Sequence, residues 1–99
     1  MDNTNKSYVY IESEHSSRYI VTLCRHFARK VPSRWDESHG EVNFAMGDCL
    51  LSLESDGQRL RLECQSDSPE GLNAVQNVLA SHVQMFSRRE TIELTWQSV

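Results

Sequence analysis

Residues 41–64 read EVNFAMGDCLLSLESDGQRLRLEC, and this stretch predicts the centre of a sheet. Apolar and polar side chains alternate within it, which predicts three half-buried strands over 41–46, 49–54 and 58–64. Two glycine-containing dipeptides, Gly47-Asp48 and Asp56-Gly57, separate these segments and favour tight turns. We therefore expect a three-stranded antiparallel meander.

The alternation also assigns the two faces of the predicted sheet, because successive strand residues point to opposite sides. The expected core face carries Val42, Phe44, Met46, Cys49, Leu51, Leu53, Leu60, Leu62 and Cys64. The other face carries Ser52, Glu54, Arg59, Arg61 and Glu63. One face of the sheet should therefore be open to solvent.

Helices are predicted on both sides of the meander. Apolar residues recur every three or four positions from Tyr19 to Val31, before Pro32, and again from Asp67-Ser68-Pro69 to about Ser87. Outer strands are predicted over 7–12 and 91–97. The expected order is β-α-β-β-β-α-β, an α+β two-layer sandwich with both helices on one face of a mostly antiparallel sheet.

Composition indicates one domain and excludes several classes of function. The chain has 99 residues, 38% of them hydrophobic, and we expect a disordered tail over 1–6 and a single domain over 7–99. A formal charge of −4 opposes non-specific binding to nucleic acid or an anionic membrane. The absence of a signal-like start, an apolar run of spanning length and paired cysteines predicts a cytoplasmic protein without disulfides.

Half of the ten basic residues lie within 15–35, a stretch that contains no acid. Arg18, Arg25 and Arg29 share a narrow sector of the first predicted helix, extended by Lys30 and Arg34. This stripe could receive an anion such as a phosphate, an acidic protein surface or a carboxylate-rich siderophore. The alternative is an ordinary solvated helix face.

Two histidines, His26 and His82, border the apolar stripes of the two predicted helices and could meet in space. They could act as metal ligands or acid/base groups, or form a hydrogen-bonded seam between the helices. Cys24 lies roughly 200° from His26 around the helix, so these two cannot share an ion. With no HExxH or paired CxxC motif, we expect no metal and no cofactor.

The loop after the first helix offers a second candidate site. Asp36 could orient the imidazole of His39 beside Trp35, as general-base catalysis requires, or these residues could simply form a turn. Cys24, Cys49 and Cys64 fall on predicted core faces, which favours inert buried thiols.

The first helix carries a family resemblance. Ser17-Arg18-Tyr19-Ile20 and the segment 23–31 resemble the signature of the bacterial domain of unknown function 2218. Further motifs match down the chain, namely Trp35-Asp36 with Gly40 and Val42, Gly47 with Cys49, and Ser81-His82 with Phe86, Arg89 and Glu90. Gln84-Met85 and Ser87-Arg88 depart from the pattern.

The resemblance implies a small two-layer domain similar to the TATA-binding-protein-like fold, with an association to iron and siderophore handling in some members. It also draws attention to the motif residues Tyr19, Cys24, His26, Asp36, His39, His82 and Arg89. It implies no activity.

The leading hypothesis is a non-enzymatic cytoplasmic binding or accessory module that contacts a protein partner or an anionic small ligand through Arg18, Arg25, Arg29 and Lys30. One alternative is a small metal-dependent or acid/base enzyme that uses His26 and His82. Another is a structural protein that forms homodimers, since the sequence is compatible with a monomer or a homodimer.

Overall fold

The computed structural model of the chain describes residues 5–87, 92 and 94–98. Its elements are, in chain order, β1 (Asn5–Glu12), α1 (Ser16–Phe27), β2 (Ser33–Trp35), β3 (His39–Phe44), β4 (Gly47–Glu54), β5 (Arg59–Ser66), α2 (Pro69–Phe86) and β6 (Gln97–Ser98). This is the predicted α+β class, with one strand more than the predicted order contains.

The predicted meander forms the middle of a six-stranded sheet. The strand order is β2-β3-β4-β5-β1-β6, and the described pairings are all antiparallel. The turn between β4 and β5 places Asp56 at φ 55° and Gly57 at φ 87°. Gly and Asp tolerate this left-handed region, which explains why the Asp-Gly dipeptide reverses the chain there.

Both helices pack on the same face of the sheet and contact each other. Leu23 of α1, Leu79 of α2 and Leu62 of β5 are fully buried between the two layers. The side chain of Ser68 accepts a hydrogen bond from the backbone N–H of Gly71 at 2.9 Å and caps α2, as its position before Pro69 predicts. The apolar residues of the strand pattern and those of the helix pattern are therefore buried in one core.

The first helix ends earlier than its apolar pattern predicts. α1 stops at Phe27, and the backbone N–H groups of Arg29 and Lys30 bond back to the carbonyls of His26 and Phe27 in tight turns. Proline at position 32 disfavours helical backbone at Val31 and clashes with a continued helix. Arg29 and Lys30 consequently lie in the turn after the helix.

The edges of the sheet also differ from the prediction. β2 is an unpredicted three-residue strand, too short to show alternation, which exists through its pairing with β3. β1 begins at Asn5, two residues before the predicted start. At the other end, β6 covers Gln97–Ser98 where a strand over 91–97 was expected, while Ile92, Leu94 and Trp96 pack against the core.

One glycine shows how closely α1 approaches the sheet. A Cβ atom on Gly40 of β3 would lie 2.6 Å from the Cys24 sulfur and 3.3 Å from Ile20. The absence of a side chain at position 40 therefore lets the helix rest directly on β3.

Among the described residues, no helix is long and apolar enough to cross a membrane.

Candidate functional site

The predicted basic stripe is exposed, but it is divided by the early end of α1. Arg18 and Arg25 lie on the helix, whereas Arg29 and Lys30 lie in the turn that follows it. In the described ranges no acidic side chain forms an ion pair with any of these four, whereas Arg34, the fifth residue of the predicted stripe, pairs with Glu41 at 3.0 Å. The end of α1 is therefore a locally cationic surface on an acidic chain.

The structure brings together the two histidines that the sequence singled out. The ring centroids of His26 on α1 and His82 on α2 lie 4.8 Å apart, at a tilt of 51°. They border a cleft of 360 Å³ between the two helices, called the interhelical cleft below. Its lining residues are His26, Phe27, Arg29, Lys30, Val31, Phe44, Val78 and His82.

A smaller cleft of 170 Å³ lies beside the first and shares His26 and Arg29 with it. Its other lining residues are Thr22, Arg25 and Phe86. Arg25 therefore belongs to the same cationic region, whereas Arg18 lines neither of these two clefts. Within the described part of the chain, neither cleft is lined by an aspartate or a glutamate.

A local hydrogen bond fixes the tautomer of His82. Its Nδ1 lies 2.7 Å from the backbone carbonyl oxygen of Val78, one helical turn earlier. A carbonyl oxygen can only accept, so Nδ1 carries the hydrogen and donates it. In the neutral ring Nε2 is then an unprotonated acceptor, and protonation of the ring would convert it into a donor.

The electrostatics around His26 are those of a cationic site. Burial is the first cause that lowers the pKa of His26, and the nearby His82, Arg29 and Lys30 lower it further. A second positive charge is thus disfavoured at this position. An anion placed there would relieve the repulsion.

The two imidazoles belong to a larger cluster of rings. The ring centroid of Phe27 lies 4.7 Å from that of His82 and 5.0 Å from that of Phe44. The ring centroids of His26 and Phe86 lie 5.5 Å apart. The contacts of Phe27 with Phe44 and of His26 with Phe86 are edge-to-face, an arrangement that aromatic pairs prefer. Periodicity placed Phe27, Phe44 and Phe86 in the core, but no sequence signal indicated that they also line a cleft.

The imidazoles of His26 and His82 lie close together, as two ligands of one metal ion must, but two ligands are fewer than a zinc site uses. Within the described part of the chain, no group of three or more His, Cys, Asp or Glu side chains is placed to hold a metal ion. Cys24 is not a lining residue of the cleft.

The Asp36 carboxylate is held by the backbone of its own loop. The Asp36 carboxylate accepts hydrogen bonds from the backbone N–H groups of Ser38 and His39, at 2.7 and 2.8 Å. These two bonds lower the pKa of Asp36. The carboxylate stabilises a turn, which is the alternative that the sequence left open.

The cysteines are free and buried. Burial raises the pKa of the Cys24 thiol and, more strongly, that of Cys49, which pairs directly with Cys64 across β4 and β5. Such thiols are poor nucleophiles at neutral pH. Of the other motif residues, Tyr19 is buried in the core, and Arg89 lies outside the described residues.

The open face of the sheet is a second surface with an ordered arrangement. The Arg61 guanidinium lies 4.4 Å from the ring centroid of Tyr8 and donates to the hydroxyl of Tyr10 at 2.9 Å. Its charge is paired with Glu63, and Arg59 is paired with Glu12. The charges of this face largely satisfy one another, unlike those beside the interhelical cleft.

Comparisons with known proteins give a family and a fold. The model of a family described as "Uncharacterized protein conserved in bacteria (DUF2218)" matches residues 9–97. The NMR structure of PA4090 from Pseudomonas aeruginosa is similar, with 26% identity and a TM-score of 0.78, over 94% of this chain and 95% of that chain. No curated protein matches the chain.

Proposed function

The chain belongs to the bacterial family DUF2218, and we propose that it is a non-enzymatic binding module that holds an anionic group in the interhelical cleft. The family is uncharacterised and brings no activity with it. The side chains of this chain supply the grounds for the proposal.

One observation carries the proposal. His26 and His82 lie 4.8 Å apart in a cleft whose other polar lining residues are the cations Arg29 and Lys30. Arg29 and Lys30 give the cleft a positive charge to which a bound anion is complementary, and the lowered pKa of His26 keeps that ring from adding a further charge. Among the lining residues that the structure describes, there is no carboxylate to balance these cations.

The remaining candidate groups support binding rather than catalysis. The Asp36 carboxylate is engaged by backbone N–H groups, and the buried Cys24 thiol has a raised pKa. Neither is an activated base or nucleophile next to the cleft.

The proposal leaves the source of the anionic group open. A small carboxylate, a phosphate or an acidic side chain of a protein partner presents the same chemistry to Arg29 and Lys30. A carboxylate-rich siderophore is one such ligand, and the association with iron handling stays a prediction from the family resemblance.

A titration with small anions tests the proposal. Sodium acetate and sodium phosphate are added to the 15N-labelled protein at low ionic strength, and the histidine ring protons and backbone amides are followed by NMR. We expect saturable shifts at His26 and His82 and none at the exposed His39. Shifts spread evenly over the surface, or none, would contradict the proposal.

A matched pair of variants separates the cleft from general electrostatics. Arg29→Glu reverses a charge that lines the cleft, and Arg18→Glu makes the same change on an exposed arginine that does not. The first variant should lose binding, and the second should keep at least about half of the affinity. Equal losses would show that net charge alone governs the shifts.

A metal ion is the alternative occupant, favoured by the short distance between the two imidazoles. Titration with zinc chloride distinguishes it. Stoichiometric zinc binding that His26→Ala and His82→Ala abolish would replace the anion proposal with a metal site.

A further inference from the structure

The interhelical cleft has two chemically different halves, and this difference limits what it can bind. Arg29 and Lys30, in the turn after α1, are exposed and form the charged half of its lining. Phe27, Phe44 and Val78 supply apolar surface from α1, β3 and α2 and are called the apolar half below. The lining therefore combines two cations with hydrocarbon.

The apolar half is rigid rather than adaptable. Phe27 is only 6% exposed and makes edge-to-face contact with Phe44 at 5.0 Å. The His82 ring is held by its hydrogen bond to the backbone carbonyl of Val78, and its centroid lies 4.7 Å from that of the Phe27 ring. A wall already ordered by such contacts loses little conformational entropy when a ligand covers it.

The volume of the cleft suits a ligand larger than a simple inorganic ion. At 360 Å³ it lies near the lower end of small-molecule sites, which span about 300–1,000 Å³. An apolar cavity of about 150 Å³ is already sufficient for benzene. The cleft has room for one ring or a short branched chain together with an anionic head.

We infer that the ligand of this cleft is an amphipathic organic anion, a carboxylate on a flat aromatic or short apolar body. The head lies between Arg29 and Lys30, and the body covers Phe27, Phe44 and Val78. The inference rests on the proposed function, because it specifies the class of anion that the same site takes. A fully hydrated anion such as phosphate would leave the apolar wall exposed to water and gain nothing from it.

Three probes separate the contribution of charge to binding from that of apolar surface. Sodium benzoate carries both a ring and a charge, sodium acetate carries the charge without the ring, and benzyl alcohol carries the ring without the charge. Dissociation constants come from the amide shifts of cleft residues in the 99-residue chain. Benzoate should bind at least about tenfold more tightly than either of the other probes, since only benzoate uses both halves.

A pair of variants of the same chemistry tests the apolar wall. Val78→Thr places a hydroxyl in the wall with almost no change in shape, and Val21→Thr makes the same exchange at a half-buried site on α1 outside both clefts. Val78→Thr should raise the dissociation constant of benzoate several-fold and leave that of acetate unchanged. Val21→Thr should change neither, which controls for an effect on folding.

The outcomes distinguish failure of the inference from failure of the proposed function. If acetate and benzoate bind the cleft with equal affinity, the anion site stands and the amphipathic ligand is wrong. Benzoate that binds elsewhere on the chain, or that ignores Val78→Thr, also overturns the inference. If no anion perturbs His26 or His82, the proposed function fails, and the inference fails with it.

Discussion

The imidazole of His26 lies against that of His82, with 4.8 Å between the ring centroids, although the two come from different helices. Each helix presents its histidine at the edge of its buried face, and the packing of α1 on α2 joins those edges. Because Arg29 and Lys30 border the same cleft, the packing that closes the core also creates a cationic site at its rim.

The pKa of His26 should make folding stability depend on pH. Burial, His82, Arg29 and Lys30 lower this pKa in the folded chain, so the unfolded chain, with an ordinary value of about 6.5, takes up the proton first. The contribution of the neutral His26 to the free energy of unfolding is fully present above that pH. It is lost as the pH falls towards the pKa that His26 has in the folded chain. The urea concentration at the unfolding midpoint should decrease as the pH is lowered from 7.5 to 5.5. The decrease should be less steep in His26→Gln.

An exposed histidine provides the control for this experiment. His39→Gln should leave the pH dependence of the urea midpoint as it is in the unaltered chain, because His39 lies outside the interhelical cleft. A pH dependence that His26→Gln does not flatten would show that other groups cause it.

Gly40→Ala should destabilise the fold by about 1–3 kcal/mol through overpacking. The new Cβ would lie 2.6 Å from the Cys24 sulfur, closer than packed atoms tolerate. Urea unfolding of a double-mutant cycle checks the cause, since Cys24→Ala removes the clashing sulfur. Gly40→Ala should cost much less in the Cys24→Ala background, whereas equal costs in both backgrounds would place the strain elsewhere.

The cysteines should be unreactive in the folded protein. All three are buried, and burial raises the pKa of Cys24 and Cys49, so the thiolate that attacks a disulfide reagent is scarce. Ellman's reagent should modify fewer than one thiol per chain in native buffer, and all three in guanidinium chloride. Rapid native labelling of Cys24 would contradict its placement in the core.

Arg61→Lys should destabilise the open sheet face by about 1 kcal/mol, because a lysine cannot reproduce the planar contacts of the guanidinium with Tyr8, Tyr10 and Glu63. Arg34→Lys is the matched control. Arg34 makes a single ion pair with Glu41, and its side chain is 79% exposed, so this exchange should change stability by less than about 0.5 kcal/mol. Equal urea midpoints for the two variants would contradict the structural role of Arg61.

The central part of the fold follows from local pattern. Period-2 alternation over 41–64 predicts β3, β4 and β5 and their buried faces, because each strand has a solvated face opposite its core face. β2 could not be predicted in this way. Its three residues, Ser33–Trp35, have no alternation of their own and become a strand only because β3 lies beside them.

The sequence predicts the histidine pair of the candidate site, but not the cleft that the two histidines border. Helical periodicity puts His26 and His82 at the borders of two buried faces, which brings them together once the helices share a side of the sheet. The early end of α1 depends on Pro32 and on the turn into β2. Phe44 joins the cleft from β3 through tertiary packing, which no local pattern encodes.

The most direct test of the anion site follows the ring protons of the four histidines by NMR while sodium benzoate is added at constant pH. We predict saturable shifts of the His26 and His82 ring protons, and a pH titration repeated at saturating benzoate should give a raised pKa for His26, because the bound carboxylate offsets the nearby positive charges. His15 and His39, outside the interhelical cleft, should stay unchanged. Unperturbed His26 and His82 at saturating benzoate would contradict the account.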